Sequence, residues 1–339
     1  MKKILLLLII LCIGSFTLPA QDLRPIGRDL EAMLEGLGND IAPYLQQTVM
    51  AGEAPGRASL GDSRFFIGGN LGTTFTPGIL TFIDEENSNF ELLDVNGLLT
   101  MAAGESADVS SLLDTLSGVF FLPSLRLNAG VRLPLDIEVS VLFAFIPGAL
   151  SRAIGNAAGL SGFELDQLNI GVRVRKTLLK DGGGYPAISI GTGYSYGGFS
   201  ASYALTGFSQ PFDTYDLNLG GTIALDTRVH TTGIDLMLSK KLAFFYPYIK
   251  VSPWYQWTRY TGEIKDFTAN FTDATSGTVL VDSSNQGIAP SSTVIIRDLS
   301  FILSAGFELA LGKVVITPGG SFNVNTKTFN AALNIRLQF

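Results

Sequence analysis

The chain has 339 residues and a net charge of −7, and only 16% of its residues are charged, whereas Gly (38 residues) and Phe (23 residues) are plentiful. Globular proteins carry about 25% charged residues, so this composition is unusual for a soluble exported protein. The acidic balance excludes nucleic acid as an expected partner, because phosphates require a basic surface.

The N-terminus has the pattern of a secretory signal peptide. Residues 2–3 are lysines, residues 4–13 are apolar, and residues 18–20 read Leu-Pro-Ala. A basic start, a short apolar core and a small residue before the cut are typical of such peptides. The apolar run is shorter than the roughly 20 residues of a membrane-spanning helix. We therefore predict export and cleavage after Ala20, with residues 1–20 removed together with the only cysteine of the chain.

The next segment, residues 21–62, has a helical pattern. Four apolar residues share one helical face: Leu30, Met33, Leu34 and Leu37. Asn39 and Asp40 could cap a second short helix, with Pro43 tolerated in its first turn. We predict a small helical piece ahead of the main domain. The sequence leaves open whether this piece is a periplasmic cap under that domain or a plug inside it.

From about residue 63 onward the dominant signal is an alternation of apolar and polar residues, which is typical of β-strands with one apolar face. Ten segments show it, at about 64–75, 121–133, 137–146, 168–175, 187–196, 229–239, 246–260, 299–311, 314–324 and 330–339. Most are longer than the 5 to 6 residues usual in globular strands and suit the 9 to 11 of a membrane-spanning strand. Gly, Ser, Asn and Arg recur on the polar face. We predict an antiparallel transmembrane β-barrel of about 10 (10–12) strands over residues 63–339.

The links between these segments alternate in length, as they do in outer-membrane barrels. The short links lie near 133–136, 180–184, 240–245 and 312–313. The long links lie near 76–117, 147–166, 204–226 and 264–293. A further short hairpin inside the first or third long link would raise the strand number to twelve.

Two aromatic clusters border the segment at 246–260. The first comprises Phe244, Phe245, Tyr246 and Tyr248, and the second comprises Trp254, Tyr255, Trp257 and Tyr260. Aromatic side chains with a polar atom favour membrane interfaces. We predict that the two clusters belong to the interfacial girdles of the barrel.

The chain ends on NAALNIRLQF, in which Ile335, Leu337 and Phe339 share the apolar face. This ending resembles the C-terminal signature of outer-membrane barrels. The resemblance implies an outer-membrane location, surrounding lipids and the barrel-assembly machinery as an assembly partner. The alternative is an ordinary half-buried last strand of a soluble sheet.

Two wider resemblances concern the layout of the chain. The stretches FFLPSLRLNAGVRLPLDIEVSVLFAFIP, LNIGVRVRKTLLK and SKKLAFFYPYIKV are similar to uncharacterised outer-membrane proteins of diderm bacteria. Helices ahead of a barrel resemble the layout of FadL-type long-chain fatty-acid transporters, which implies a hydrophobic solute.

The polar face supplies the candidate functional residues. The lumen-lining candidates are Arg126, Arg132, Arg173, Arg175, Arg336 and Glu308. Their candidate partners are Glu138, Asp235, Lys250 and Gln256. A charge facing lipid at the membrane centre costs about 2–4 kcal/mol, so we expect these side chains to point inward. They could fill a narrow lumen with ion pairs, or line a solute path that favours anions.

No motif for a cofactor, metal or catalytic site is present. The glycine-rich stretch 191–198 lies in a strand pattern and is interpreted as lumen-facing glycines, not as a phosphate loop. His230, the only histidine, has no recognisable partner motif. We predict that the protein is not an enzyme but a passive outer-membrane channel or transporter for small or hydrophobic solutes. The first alternative is a structural or surface-interaction barrel with a filled lumen; an outer-membrane enzyme using His230 is the second.

Overall fold

The computed structural model describes residues 24–50, 56–61, 63–77, 119–146, 163–182, 184–212, 215–273, 276–282 and 287–339. The predicted signal peptide and most of the two predicted loops at 76–117 and 147–166 lie outside these residues. Cleavage after Ala20 and the domain boundaries therefore stay predictions.

The described residues form one long helix and eleven strands. The helix, α1, spans Arg24–Met50. The strands are β1 (Phe65–Pro77), β2 (Val119–Leu133), β3 (Ile137–Ile146), β4 (Phe163–Leu179), β5 (Ala187–Phe212), β6 (Tyr215–Ser239), β7 (Phe245–Asp273), β8 (Val279–Asp282), β9 (Ser291–Leu311), β10 (Val314–Asn323) and β11 (Phe329–Gln338).

All strands except β8 form a closed antiparallel barrel of ten strands. Neighbours along the chain pair with one another, β7 pairs with both β6 and β9, and β1 closes the barrel against β11 with Ile67 opposite Leu337. The short β8 pairs with β7 alone among the described strands. This confirms the predicted fold class, a β-barrel of about ten strands with a helical N-terminal segment.

The two faces of the wall have opposite chemistry. On β2, Leu125 and Leu127 are 69% and 62% exposed, whereas the alternate residues Arg126 and Asn128 are 1% and 3% exposed. The same alternation continues to the last strand, where Ile335 is exposed on the outside. An apolar outer face and a polar inner face are the arrangement of a membrane-spanning barrel. Among the described residues, no helix is long and apolar enough to cross a membrane.

The two ends of the barrel differ in their connections. At the short-turn end, strands are joined by short links such as the turn at Pro134–Asp136 and the two residues 312–313. At the opposite, long-loop end, the predicted loop 204–226 is wrong, because β5 and β6 run on as one hairpin to the pair Phe212↔Tyr215. Likewise, β7 extends into the predicted loop 264–293. These extensions are held by backbone pairing, and register shifts between Leu205 and Phe208 and between Gly220 and Thr222 divide their apolar alternation into short pieces.

The aromatic girdle prediction is wrong for four of its members. Tyr246 and Tyr248 face the lumen. Trp254 and Tyr260 are 2% and 1% exposed and point into the lumen, while Tyr255 is 47% exposed on the outer face. Trp257 packs its ring on that of His230, with centroids 4.7 Å apart. Position along the strand alone does not distinguish an inward ring from an outward one, because residues on both faces occur at every height.

The N-terminal segment forms one helix where the sequence predicted two. The helix does not break at Asn39 but continues through Pro43 to Met50. A proline inside a helix removes a hydrogen bond and costs about 3 kcal/mol. The turns after it pack against the barrel, where Leu45 and Val49 form an apolar cluster with residues of β5 and β6. This packing offsets the cost of the proline.

The helix lies inside the barrel, against inward-facing side chains of several strands. Three hydrogen bonds join its last turns to β7, β10 and β1: Gln46 Nε2 donates to Thr258 Oγ1 (2.9 Å), Gln47 Nε2 to Ser321 Oγ (3.1 Å), and Thr48 Oγ1 to Thr74 Oγ1 (3.2 Å). Gly38 lies against the Tyr260 ring, and Gly27 lies near Ile288 just before β9. The helix therefore begins at the long-loop end and descends towards the middle of the lumen.

Candidate functional site

The short-turn end of the lumen is closed by residues 56–61, which we call the strap. Side chains of β4, β6 and β9 bond to its backbone. The bonds are Arg57 N–H to Glu308 Oε2 (3.2 Å), Ala58 N–H to Ser239 Oγ (2.9 Å), Arg175 Nη1–H to the Arg57 carbonyl (2.8 Å) and Thr177 Oγ1–H to the Ala58 carbonyl (3.2 Å). Because these strands lie on different sides of the barrel, the strap crosses the lumen.

The strongest attachment of the strap is the side chain of Arg57. Its Nε lies 2.9 Å from Glu308 Oε1, in the geometry of an ion pair and not of an aligned hydrogen bond. The guanidinium also donates to the Gln338 side chain and lies over the Tyr246 ring, 5.1 Å from its centroid. Glu308 accepts a second bond from Arg336 at 2.5 Å, with both side chains fully buried. The Glu308 carboxylate is thus in contact with two arginines, Arg57 and Arg336.

Two more ion pairs occupy the lumen wall. Arg175 donates to Glu138 at 2.5 Å, in addition to its bond with the strap. Arg173 Nε lies 3.3 Å from Asp235 Oδ2, and its guanidinium lies 5.6 Å from the Trp254 ring centroid. Glu138 lies on the neighbouring strand β3, whereas Asp235 lies on β6, one strand beyond the neighbour β5.

Arg132 lies at the rim of the short-turn end and is partly exposed. It donates to the Asp136 carboxylate and to the Gly61 carbonyl of the strap. Lys180 Nζ lies 2.9 Å from the other oxygen of Asp136. The hydrogen bond from Lys180, and after it that from Arg132, holds the pKa of Asp136 below its usual value. This cluster belongs to the turns and does not line the lumen.

Arg126 differs from the other predicted arginines. It faces inward and is 1% exposed, and within the described part of the chain none of its guanidinium nitrogens has a hydrogen-bond partner. The structure thus brings Arg173, Arg175 and Arg336 into ion pairs but leaves Arg126 apart from them.

Sequence reasoning missed the residues of the N-terminal segment that enter the site. Arg57 lies in no strand, so no alternation marks its direction. The glycines on the inner face of the wall are one indirect sequence signal that other groups occupy the lumen. A Cβ at Gly306 or Gly319 would come within 2.7 Å of the Tyr248 hydroxyl, and one at Gly197 within 2.2 Å of Val49. Glycines on the inner face therefore mark where other groups fill the lumen.

The glycine-rich stretch and His230 have separate surroundings. Gly191 and Gly197 face the lumen as predicted, but Gly198 contacts Tyr196 on the outer side. His230 faces outward, where its Nδ1 lies 2.7 Å from the Tyr194 hydroxyl. Among the described residues, no group of three or more His, Cys, Asp or Glu is placed to hold a metal ion. That the protein is not an enzyme stays a prediction.

No protein-family model matches the sequence, and no curated protein matches it at a significant level. Among solved structures, the chain is similar to the outer-membrane protease OmpT from Escherichia coli, with a TM-score of 0.40, 9% identity and coverage of 83% of this chain and 98% of that chain. It is also similar to the translocator domain of the autotransporter NalP from Neisseria meningitidis (TM-score 0.37, 7% identity, 91% and 98% coverage). A third similar structure is the CymD monoaromatic hydrocarbon channel (TM-score 0.27, 9% identity, 87% and 93% coverage). Likeness at this level concerns the fold alone.

Proposed function

We propose that the protein is an outer-membrane channel that its own N-terminal segment holds closed. The observation that carries this proposal is the position of that segment, with α1 against the inner wall and the strap across the short-turn end. The plug arrangement of residues 21–62 accounts for these contacts better than a cap beneath the barrel. The polar inner wall favours a small polar or charged solute over a hydrophobic one.

The contacts of the helix support a movable closure. Its last turns reach the wall through neutral hydrogen bonds, each of which contributes about 0.5–1.5 kcal/mol. Several wall amides, including those of Asn169 and Asn334, have no partner among the described residues. Buried amides without protein partners are places that water occupies. The helix could therefore shift by exchanging these hydrogen bonds for bonds to water, with the small cluster of Leu45 and Val49 as the apolar contact that has to separate.

A reversible disulfide between helix and wall tests the proposal. Thr48 and Thr74 face each other with their hydroxyl oxygens 3.2 Å apart, so the double variant T48C/T74C places two thiols in contact. The predicted mature chain contains no other cysteine. In planar bilayers, at membrane voltages that open the unchanged protein, we expect the oxidised variant to be silent and the same protein to conduct after reduction.

The matched control is T326C/T328C, a hydroxyl pair 2.8 Å apart in the β10–β11 turn, whose disulfide would not join the helix to the wall. Its conductance should not depend on the redox state, and neither should that of the single variants. Equal conductance of oxidised and reduced T48C/T74C would refute a closure formed by the helix.

The second candidate is a structural or surface-interaction barrel without transport. The observation in its favour is the series of buried ion pairs that fill the short-turn end, such as Arg175–Glu138. This candidate predicts that reduced T48C/T74C stays silent at every voltage. The same bilayer experiment therefore separates the two functions.

Location and assembly are part of the proposal. The exposed apolar band supports a location in a bilayer, and export through the predicted signal peptide would direct the barrel to the outer membrane. We infer that the barrel-assembly machinery recognises Ile335, Leu337 and Phe339. Phe339 stacks on Phe65 of β1, with ring centroids 4.7 Å apart, so the last residue also takes part in closing the barrel. Membrane fractionation combined with heat-modifiable gel mobility tests this, since F339A should accumulate in the unassembled form.

A further inference from the structure

We propose that Arg126 and the asparagines beside it form a binding site for a small oxyanion, a carboxylate or phosphate group, on the inner wall. This site goes beyond the proposed channel function and does not depend on whether the barrel conducts.

The first observation is a buried guanidinium without a counter-charge. Arg126 is 1% exposed, and its Nε, Nη1 and Nη2 have no hydrogen-bond partner within the described part of the chain. By contrast, Arg57, Arg173, Arg175 and Arg336 each contact a carboxylate. A buried charge that no protein group pairs with is strongly unfavourable. Arg126 therefore needs an acceptor that the described wall does not supply.

The second observation is a row of amide side chains next to Arg126. Asn70 lies directly opposite Arg126 in the β1–β2 register, and Asn334 lies directly opposite Asn70 in the β1–β11 register. Asn128 lies two residues along β2 and therefore on the same face. All three asparagines are 2–3% exposed. Directly opposed residues have Cβ atoms about 4.5–5.5 Å apart, so these groups form one continuous patch.

The amides also retain free hydrogen-bonding capacity. Neither side-chain atom of Asn128 or Asn334 has a partner among the described residues, and Asn70 Oδ1 also lacks one. Each amide nitrogen offers two N–H donors. The patch therefore combines one cation with neutral hydrogen-bond donors. No acidic residue among its members is available to pair with the Arg126 guanidinium.

This donor set fits an oxyanion better than a halide. The planar guanidinium presents parallel N–H groups that match two oxygens of a carboxylate or phosphate. Amide N–H groups at Asn128 and Asn334 would bond further oxygens, and their carbonyl oxygens would accept from a hydroxyl of the ligand. Chloride has no paired oxygens, so it would gain only from the charge of Arg126.

The test measures anion binding to the full chain in detergent by isothermal titration calorimetry. Sodium phosphate and sodium acetate are titrated separately at constant ionic strength, which is set with sodium chloride. We expect saturable binding of phosphate, acetate or both, and the stronger of the two identifies the ligand class. R126Q should weaken binding at least tenfold. R259Q, which removes an exposed arginine on the outer face of β7, should leave it within twofold.

A second variant covers the case in which R126Q does not fold. N70D places a carboxylate directly opposite Arg126, so the variant should fold, lose anion binding and melt at a higher temperature than the unchanged protein without anion. The absence of saturable binding, equal binding to R126Q, or unweakened binding to N70D would each overturn the proposal. Equal competition by chloride would show charge screening only, and would overturn it too.

Discussion

The substitution Glu308→Gln is expected to destabilise the barrel severely, although it changes the side-chain volume very little. Glu308 is fully buried and lies between Arg57 of the strap and Arg336 of β11. Removing one partner of a buried ion pair costs about 3–5 kcal/mol, because the other charge stays buried without compensation. Here two guanidinium groups lose their carboxylate, so we expect a free-energy loss in the upper part of that range.

Urea unfolding, followed by the loss of heat-modifiable gel mobility, measures this effect. With a slope of about 2–3 kcal/mol per molar urea, the midpoint of E308Q should fall by roughly 1 to 3 M. The control is E263Q, which removes an ion pair of similar length, 2.9 Å to Lys265, whose side chains are 42% and 56% exposed. An exposed pair contributes about 0–1 kcal/mol, so the midpoint should barely move.

A triple variant separates loss of charge pairing from loss of packing. E308Q combined with R57Q and R336Q removes both uncompensated cations and should recover part of the lost stability. If the triple variant were less stable than E308Q, packing and not charge would hold the strap. A midpoint of E308Q equal to that of E263Q would refute the reasoning altogether.

Three further predictions concern other parts of the molecule. G38A places a Cβ 2.3 Å from the Tyr260 ring, so the packing of the helix in the barrel should weaken by about 1–3 kcal/mol. Proteolysis of residues 24–50 should become faster, and adding Y260A should reverse this effect. The chain has two tryptophans, of which Trp254 points inward and Trp257 points outward. Brominated lipids should therefore quench the fluorescence of W254F, which retains the outward Trp257, but not that of W257F, which retains the inward Trp254. Because the pKa of Asp136 is lowered in the folded protein, its contribution to stability is present above about pH 4 and is lost as the pH falls through the folded-state pKa. Acid should therefore make the neighbouring turns accessible to cleavage by pepsin. The variant D136N should abolish this pH dependence.

The wall could be predicted from the sequence because lipid imposes one rule on every strand. An apolar residue must face outward at each second position, so the apolar neighbours of Arg126, Arg173 and Arg336 in the sequence predict that these arginines point inward. The strand extensions beyond residue 204 do not stand out in the sequence because register shifts near Leu205 and Gly220 divide the alternation there into short pieces. The sequence cannot tell that Trp254 points inward, because an aromatic residue suits either a lipid boundary or a packed interior.

The contents of the lumen were much harder to predict than its wall. Arg57 has no periodic context, and its partner Glu308 lies 251 positions away in the sequence. Pro43 is an ordinary signal for a helix boundary, and only the packing of the following turns inside the barrel overrides it. Contacts between distant segments thus determine whether the barrel is open or filled, and no local pattern records them.

If the protein is the channel proposed above, the connectivity of its N-terminal segment fixes the order in which it opens. A helix of 27 residues is about 40 Å long, which is comparable to the thickness of a membrane. It begins at the long-loop end, whereas the strap joins it to β1 at the short-turn end. If the helix moved outward through the long-loop end, the connecting chain would still occupy the lumen. Full opening therefore requires withdrawal through the short-turn end, where the strap lies in the way. The bonds of Arg57 must break before the helix can leave, so Glu308 and not the helix–wall contacts controls the first step.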